Sequence, residues 1–186
     1  MCFPNNQKRS DQKPNTQHMN QEINKLVENL ELLPHPEGGF YKEVYRSKNL
    51  ISKEALPDDF SGDRSYCTSI YFLLTSDNFS AFHRIKQDEI WHFYSGTSLS
   101  VHVIDAEGKY TEYKVGMNFS HGEQPQLVVP AGCWFASSVS QKDSFAFVGC
   151  TVAPGFDFDD FELATRARLT ASYPKHKEII HRLTRD

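Results

Sequence analysis

Residues 83–96, HRIKQDEIWHFYSG, decide the fold of this chain and contain its two most informative polar side chains. His83 lies in one predicted strand, and Glu89, six residues later, begins the next. Side chains along a strand alternate between its two faces, so Trp91 shares the face of Glu89 and His92 points the other way. If the face of Glu89 is the interior, the stretch brings a histidine and a glutamate among aromatic side chains inside a β fold.

The chain around this stretch alternates between short apolar runs and turn residues, which is typical of β-strands. A first strand is predicted in GGFYKEVYRS, where Gly38 and Gly39 form a turn. Further strands are predicted at residues 67–74, 80–85, 89–94, 99–105, 110–115, 126–129, 133–138 and 144–152. Helical patterns are confined to the two ends of the chain, at residues 20–32, 159–170 and 179–183. The pattern predicts an all-β fold, an antiparallel sandwich or jelly roll with short flanking helices at both ends.

The first 21 residues differ in composition from the rest of the chain. They are polar and rich in Asn, Gln and Lys, so we predict that residues 1–21 form a disordered polar tail. Residues 22–186 then form a single domain, since a chain of 186 residues suits one domain with a sizeable core.

Charge and composition exclude several classes of partner. The net charge is -4, which gives no sign of a nucleic-acid partner. No apolar run approaches the length that spans a bilayer, and the N-terminus lacks the apolar middle region of a secretory signal. The four cysteines show no CxxC spacing, so they are interpreted as reduced thiols. We therefore expect a cytoplasmic protein that has no nucleic-acid or membrane partner.

The spacing within residues 83–96 resembles the first motif of the cupin superfamily. That motif is written H-x-H, three or four residues, E, six residues and G. His83, Glu89 and Gly96 match it, but Ile85 stands where the second histidine is expected. The departure matters because that histidine is one of the usual metal ligands of the superfamily.

A second cupin motif is matched in part by PAG at residues 130–132, with Phe135 in place of its histidine. Longer segments resemble a small single-domain cupin family of largely uncharacterised proteins. These segments are PHPEGGFYKEVYRS, TSIYFLL, FSAFHRIKQDEIWHFYSG, PQLVVPAGCWFAS and VGCTVAPGFDFDDFEL. The resemblance implies a cupin-type double-stranded β-helix, that is a jelly-roll barrel, and a homodimer. It also implies a distant similarity to dTDP-sugar epimerases.

The two departures from the motifs bear on metal binding. Full cupin sites use three imidazoles and one carboxylate, which suit Mn, Fe or Ni. Only His83 and Glu89 stand at matching positions; His121 or His92 would have to be recruited, and His92 faces away if Glu89 faces inward. We therefore expect no metal and no other cofactor, and we keep a metal-dependent cupin oxygenase as a third hypothesis.

The first hypothesis is a metal-independent isomerase or epimerase acting on a sugar nucleotide. Burial would raise the pKa of Glu89, and a neighbouring carboxylate would hold an imidazole in one tautomer. In the epimerases that this chain distantly resembles, a barrel histidine abstracts a proton and a tyrosine returns it. The resemblance thus implies that His83 is the base and that Tyr41 or Tyr71 is the acid.

The alternative hypothesis is a non-catalytic module that binds a small organic ligand in the barrel. The histidine and glutamate then simply pair with each other, as buried polar groups normally do. For either hypothesis we predict ligand contacts from Trp91 and Trp134, whose rings can stack on a sugar or base. Ser69 and Gln126 are predicted to orient the ligand by hydrogen bonds.

Overall fold

The structure is a computed structural model that describes residues 16–186. These residues form mostly β-strands, with an α-helix near one end of the chain and two short ones near the other. The strands are β1 (Leu33–Pro34), β2 (Phe40–Arg46), β3 (Leu50–Ile51), β4 (Arg64–Ser65), β5 (Thr68–Thr75), β6 (Phe79–Arg84), β7 (Asp88–Gly96), β8 (Leu99–Ile104), β9 (Tyr110–Val115), β10 (Gln126–Val129), β11 (Trp134–Val139), β12 (Phe145–Ala153) and β13 (Glu162–Leu163). The helices are α1 (Thr16–Leu30), α2 (Arg166–Ser172) and α3 (Lys177–Arg182).

Two antiparallel sheets make up the body of the domain. The first sheet has the order β1-β2-β5-β12-β7-β10, and the second has the order β13-β6-β11-β8-β9. Strands distant in sequence lie side by side, since β12 pairs with both β5 and β7, and β11 pairs with both β6 and β8. This interleaving is that of a jelly roll. The predicted all-β jelly roll with short helices near both ends is confirmed.

The space between the sheets is filled by apolar side chains from alternate strand positions. Trp91 of β7 is 1% exposed and packs edge-on against Phe72 and Phe135, with ring centroids 5.9 and 6.4 Å away. Each such aromatic side chain stabilises the fold by roughly 2–3 kcal/mol through burial. This core fixes the strands that carry the site.

Helix α1 covers the outer face of the first sheet. Ile23, Leu26 and Leu30 recur at helical spacing and pack against a cluster that contains Leu73 of β5. The helix begins at Thr16, earlier than the predicted boundary at residue 21 between tail and domain. The part of the predicted tail before this helix lies outside the described residues.

Helices α2 and α3 cover the outer face of the second sheet. Leu169, Ile180 and Leu183 pack there against Phe82 of β6. None of the helices in residues 16–186 is long and apolar enough to cross a membrane. Cys67, Cys133 and Cys150 are free thiols in this part of the chain.

The sequence predicts the long strands well and one helix wrongly. The predicted strands at 110–115 and 126–129 coincide with β9 and β10, and the other long strands differ by at most two residues at an end. The predicted helix at 159–170 is instead a 3-10 turn (Phe158–Asp160), the short β13, and α2. The acidic segment does not begin an α-helix, because Glu162 and Leu163 pair with β6 and the preceding aspartate is buried.

That aspartate, Asp160, belongs to a buried ionic network. Two nitrogens of Arg64 donate to its two carboxylate oxygens at 2.6 and 2.7 Å, and Gln87 Nε2 donates at 2.7 Å. Lys86 Nζ lies 3.3 Å from the same carboxylate. The network joins the β3–β4 region to the segment before β13, and hence fixes one wall of the cavity described below.

We predict that Asp160→Asn lowers the free energy of unfolding by about 3–5 kcal/mol, since it leaves the buried Arg64 guanidinium without its counter-charge. Asp58→Asn is the matched control. Asp58 is exposed, so its replacement changes stability by less than about 0.5 kcal/mol. Urea unfolding followed by circular dichroism measures both values, and equal stabilities of the two variants would contradict this role for Asp160.

Candidate functional site

A cavity of about 240 Å³ opens between β2, β5, β7 and β12 of the first sheet and the segment that follows β12. It contains the ionisable side chains described below, and aromatic and aliphatic side chains form the rest of its wall. The lining residues are His35, Glu37, Tyr41, Glu43, Arg46, Thr68, Ile70, His83, Ile85, Glu89, Cys150, Val152, Phe156, Asp157, Phe158 and Phe161. The cavity is the candidate site, because buried ionisable groups converge on an otherwise largely apolar pocket.

A buried ion pair between His83 and Glu37 lies at the inner end of this cavity. His83 Nε2 donates to Glu37 Oε2 at 2.9 Å, and the side chains are 3% and 7% exposed. The other ring nitrogen, Nδ1, is 2.7 Å from the carbonyl oxygen of Ala81, to which it donates. The second oxygen of Glu37 accepts from the hydroxyl of Ser80 at 3.0 Å. Both nitrogens of the histidine are therefore engaged within the protein.

The loop between β1 and β2 brings Glu37 into the interior. Its two glycines adopt positive φ, and a Cβ on Gly38 would clash with the backbone oxygen of Phe79. The Glu37 amide donates to His35 Nδ1 at 3.3 Å, which holds the His35 ring against the edge of Tyr41. The loop predicted as a turn thus also supplies two side chains to the site.

The ion pair controls which groups in the cavity are charged. Burial alone would lower the pKa of His83, but the charge and hydrogen bond of Glu37 outweigh burial and raise it. Burial likewise opposes the charge on Glu37, yet His83 and His35 lower its pKa. Burial lowers the pKa of His35. These shifts, with both nitrogens of His83 facing oxygen acceptors, favour the protonated form of His83, the ionised form of Glu37 and the neutral form of His35.

Glu89, near the start of β7, is the remaining ionisable group deep in the cavity. It is 9% exposed and lies beside the Cys150 thiol of the neighbouring strand β12. Burial raises the pKa of Glu89 to about 7; His83 opposes this shift and the charge of Glu37 adds to it. Burial and the Glu89 carboxylate also raise the pKa of Cys150, so the thiol stays protonated. Glu89 is thus a carboxyl group that gains and loses its proton near neutral pH.

Arg46 and three phenylalanines form the mouth of the cavity. Arg46 Nε and Nη2 donate to the carboxylate of Glu43 at 2.9 and 2.7 Å, and both Nη atoms lie 3.1 Å from the Phe156 carbonyl oxygen. The rings of Phe156, Phe158 and Phe161 meet edge to face, with centroids 5.1 to 6.4 Å apart. Arg46 therefore ties this aromatic rim to β2.

The residues of the cavity do not fit the usual cupin metal. Ile85 is buried and lines the cavity, and Phe135 is buried with its ring centroid 4.1 Å from that of His83. Each occupies the position of a metal-binding imidazole, and the nitrogens of His83 already donate to Glu37 and to the backbone. Among the side chains that the structure describes, those of residues 19–186, no three His, Cys, Asp or Glu are arranged to hold a metal ion.

Three of the predicted site residues meet in the cavity, namely His83, Glu89 and Tyr41. The partner of His83 is Glu37, however, and not Glu89 as the pairing hypothesis expects. The structure places Tyr71 elsewhere: its ring packs against Tyr94 and Phe147 on the outer face of the first sheet.

The predicted ligand contacts lie outside the cavity. Ser69 Oγ lies 3.4 Å from the hydroxyl of Thr151, and Gln126 is exposed on the edge strand β10. Trp91 belongs to the core between the sheets, and Trp134 packs on the outer face of the second sheet beneath the guanidinium of Arg84. Aromatic and polar identity alone did not distinguish ligand contacts from core and surface positions.

Sequence reasoning missed Glu37, His35 and Arg46. The signal for the first two is the segment PHPEGG, in which ionisable side chains flank a proline immediately before a glycine turn. Such a turn directs side chains inward only in a particular tertiary setting, so the signal is weak. Arg46 follows a bulge between Glu43 and Tyr45, which reverses the face that strict alternation would give it.

The jelly roll and its enclosed pocket define a small-molecule-binding cupin whose usual metal positions are partly apolar. The chain belongs to the family described as Cupin superfamily (DUF985), whose model matches residues 24–164. This match confirms the resemblance seen in the sequence motifs.

Relatives resemble the chain over most of its length. The uncharacterised protein YML079W of Saccharomyces cerevisiae is 31% identical over 147 residues, which cover 74% of this chain and 73% of the relative. The structure of protein SO0799 from Shewanella oneidensis is 42% identical, with a TM-score of 0.79, over 87% of this chain and 96% of that one. A hypothetical protein from Leishmania major is 35% identical, with a TM-score of 0.80, over 88% and 98% of the two chains. The names of these relatives state no activity.

The raised pKa of Glu89 predicts a pH-dependent loss of stability. The folded protein retains this proton up to about pH 7, whereas the unfolded chain releases it near the ordinary value of 4.5. The free energy of unfolding therefore falls as the pH rises between these values, by on the order of 3 kcal/mol. Glu89→Gln removes this dependence, so the wild type loses stability relative to the variant between pH 4.5 and 7.5.

Denaturant unfolding across this pH range measures the difference, and contributions from other groups largely cancel in it. Glu107→Gln is the control, because Glu107 is exposed in the turn after β8 and outside the cavity. Its free energy of unfolding should follow that of the wild type at every pH. Parallel curves for the wild type and Glu89→Gln would contradict the raised pKa of Glu89.

Proposed function

We propose that the protein is a metal-independent isomerase that moves a proton between neighbouring carbons of a small carbonyl compound bound in the cavity. The proposal rests on the position of Glu89, whose buried carboxyl group lines the cavity and has a pKa raised to about 7. A general base is most effective when its pKa lies near the working pH. Displaced pKa values of this kind cluster at functional sites.

Glu89 suits the role of the base better than His83. A base needs an unprotonated atom directed at the substrate, and both nitrogens of His83 donate hydrogen bonds within the protein. The Glu37 carboxylate also stabilises the protonated form of His83. The positive charge of His83 then acts as a fixed electrostatic partner for negative charge that develops in the cavity.

The proposed step needs a single base. The Glu89 carboxylate takes the proton from a carbon next to the substrate carbonyl, and the C–H electron pair forms a carbon–carbon double bond while the carbonyl electrons move onto oxygen. The product is an enediolate, in which the proton of the neighbouring hydroxyl passes to the oxyanion. The enediolate then takes the proton of the Glu89 carboxyl at the former carbonyl carbon, while the other oxygen becomes the new carbonyl. Atoms and charge balance without an oxidant or reductant.

Tyr41 and His35 are the candidates for polarising the substrate carbonyl. Both line the cavity, and their rings contact each other edge to face with centroids 4.5 Å apart. A phenol and a neutral imidazole are hydrogen-bond donors that act on a carbonyl without adding charge to the buried site. Tyr41 thus retains a role in the proposal, as a donor to oxygen.

Solvent deuterium exchange tests the proposal. Wild-type protein should accelerate deuterium incorporation into dihydroxyacetone, glyceraldehyde or fructose above the uncatalysed rate, followed by proton NMR. Glu89→Gln should reduce the accelerated rate about 10²–10⁴-fold, which is the usual contribution of a general base. Glu107→Gln should leave the rate unchanged. An unaccelerated rate with the wild type, or equal rates with Glu89→Gln and the wild type, would contradict the proposal.

The same experiment distinguishes the isomerase from a second candidate function, a non-catalytic module that binds a small organic ligand. The observation that favours it is the full satisfaction of His83 by Glu37 and the Ala81 carbonyl, which is also what a structural ion pair requires. A ligand that raises the melting temperature of the wild type but exchanges no deuterium would favour this module over the isomerase.

A further inference from the structure

We infer that the cavity selects an uncharged hydroxy-carbonyl compound about the size of a monosaccharide and excludes phosphorylated or nucleotide-linked substrates. The carbonyl part of this inference rests on the proposed function, whereas the charge selectivity rests on the cavity alone. The inference revises the sugar nucleotide that the resemblance to epimerases suggested. Three properties of the cavity support it independently: its charge, the hydrogen-bond donors that it leaves free for a ligand, and its size.

Acidic side chains outnumber basic ones around the cavity. Four carboxyl groups line it, and the groups that hold positive charge there are His83 and Arg46. The four acidic residues are Glu37, Glu43, Glu89 and Asp157. A phosphate would therefore enter a site with an excess of carboxyl groups. Its repulsion is strongest from the buried Glu37 and Glu89, whereas water screens the exposed Glu43 and Asp157.

Both cationic groups are already committed to protein acceptors. His83 donates from one nitrogen to Glu37 and from the other to the backbone. Arg46 places Nε and Nη2 on the Glu43 carboxylate and contacts the Phe156 carbonyl with both Nη atoms. Phosphate sites normally offer free guanidinium, ammonium or backbone donors to the ligand. Four of the five N–H groups of Arg46 thus face protein oxygens, so a phosphate would have to share the guanidinium with Glu43.

The size and surface of the cavity favour a small ring or chain. Its volume of about 240 Å³ is below the roughly 300 Å³ at which pockets for drug-sized ligands begin. Ile70, Val152 and the rings of Phe156 and Phe161 offer apolar surface to the C–H face of a sugar. The hydroxyls and carbonyl of such a ligand would face the polar groups at the inner end.

Matched pairs of compounds test the inference. Isothermal titration should give a dissociation constant at least about tenfold lower for fructose than for fructose 6-phosphate. Dihydroxyacetone should likewise bind more tightly than dihydroxyacetone phosphate. Glu43→Gln should narrow this ratio by improving binding of the phosphorylated member, because it releases Arg46 from its carboxylate partner. Glu107→Gln should preserve the wild-type ratio.

Tighter binding of the phosphorylated member by the wild type would overturn the inference, and so would absence of binding by both neutral compounds. The titration is independent of turnover, so its outcome is separable from that of the exchange experiment. A neutral ligand that binds without deuterium exchange leaves the charge selectivity intact and refutes the isomerase. A phosphorylated ligand that binds at least as tightly as its neutral counterpart, and that exchanges deuterium, refutes the charge selectivity alone.

Discussion

The buried ion pair between His83 and Glu37 is the interaction on which the chemistry of this site depends. Burying either charge alone would be strongly unfavourable, and each is stable here because the other lies 2.9 Å away. The pair joins the loop after β1 to strand β6, so it connects the two sheets at the inner end of the cavity. Because both ring nitrogens of His83 donate hydrogen bonds within the protein, His83 is not available as a base. His83, which the sequence suggests as the catalytic base, therefore acts instead as the cationic partner of Glu37.

The same pair explains the properties of Glu89. Burial raises the pKa of Glu89 to about 7, because the nearby imidazolium of His83, which opposes this shift, is paired with Glu37, whose charge adds to it. In many cupins the corresponding positions bind a metal, but here Ile85 and Phe135 replace two imidazoles with apolar side chains. The outcome is a cavity with a buried carboxyl group that titrates near neutral pH, a buried ion pair beside it and an aromatic mouth. Such a site suits proton transfer on an uncharged substrate.

The sequence predicts the sheets far better than it predicts the site. Alternating apolar and polar residues between turns identify the long strands. The same alternation correctly predicts that His92 points away from the cavity, and its ring contacts Thr151 on the other face of the sheet. The partner of His83 could not be predicted, because Glu37 lies in a loop whose path is set by tertiary packing and two glycines. Tyr71 and Ser69 share one face of β5, but the packing of α1 on one side and of the second sheet on the other decides which face is inside. The homodimer and the cytoplasmic location stay predictions.

The role given to Glu89 requires that His83 is doubly protonated beside Glu37 at neutral pH. Nitrogen-15 NMR of protein labelled at its histidines, with His83→Asn used to assign the signal, measures this protonation state. We expect both ring nitrogens of His83 to show the shifts of a protonated imidazolium at pH 7, and the signal to titrate only above the ordinary value of 6.5. A neutral ring with one unprotonated nitrogen at pH 7 would refute this role of the ion pair and return the role of the base to His83.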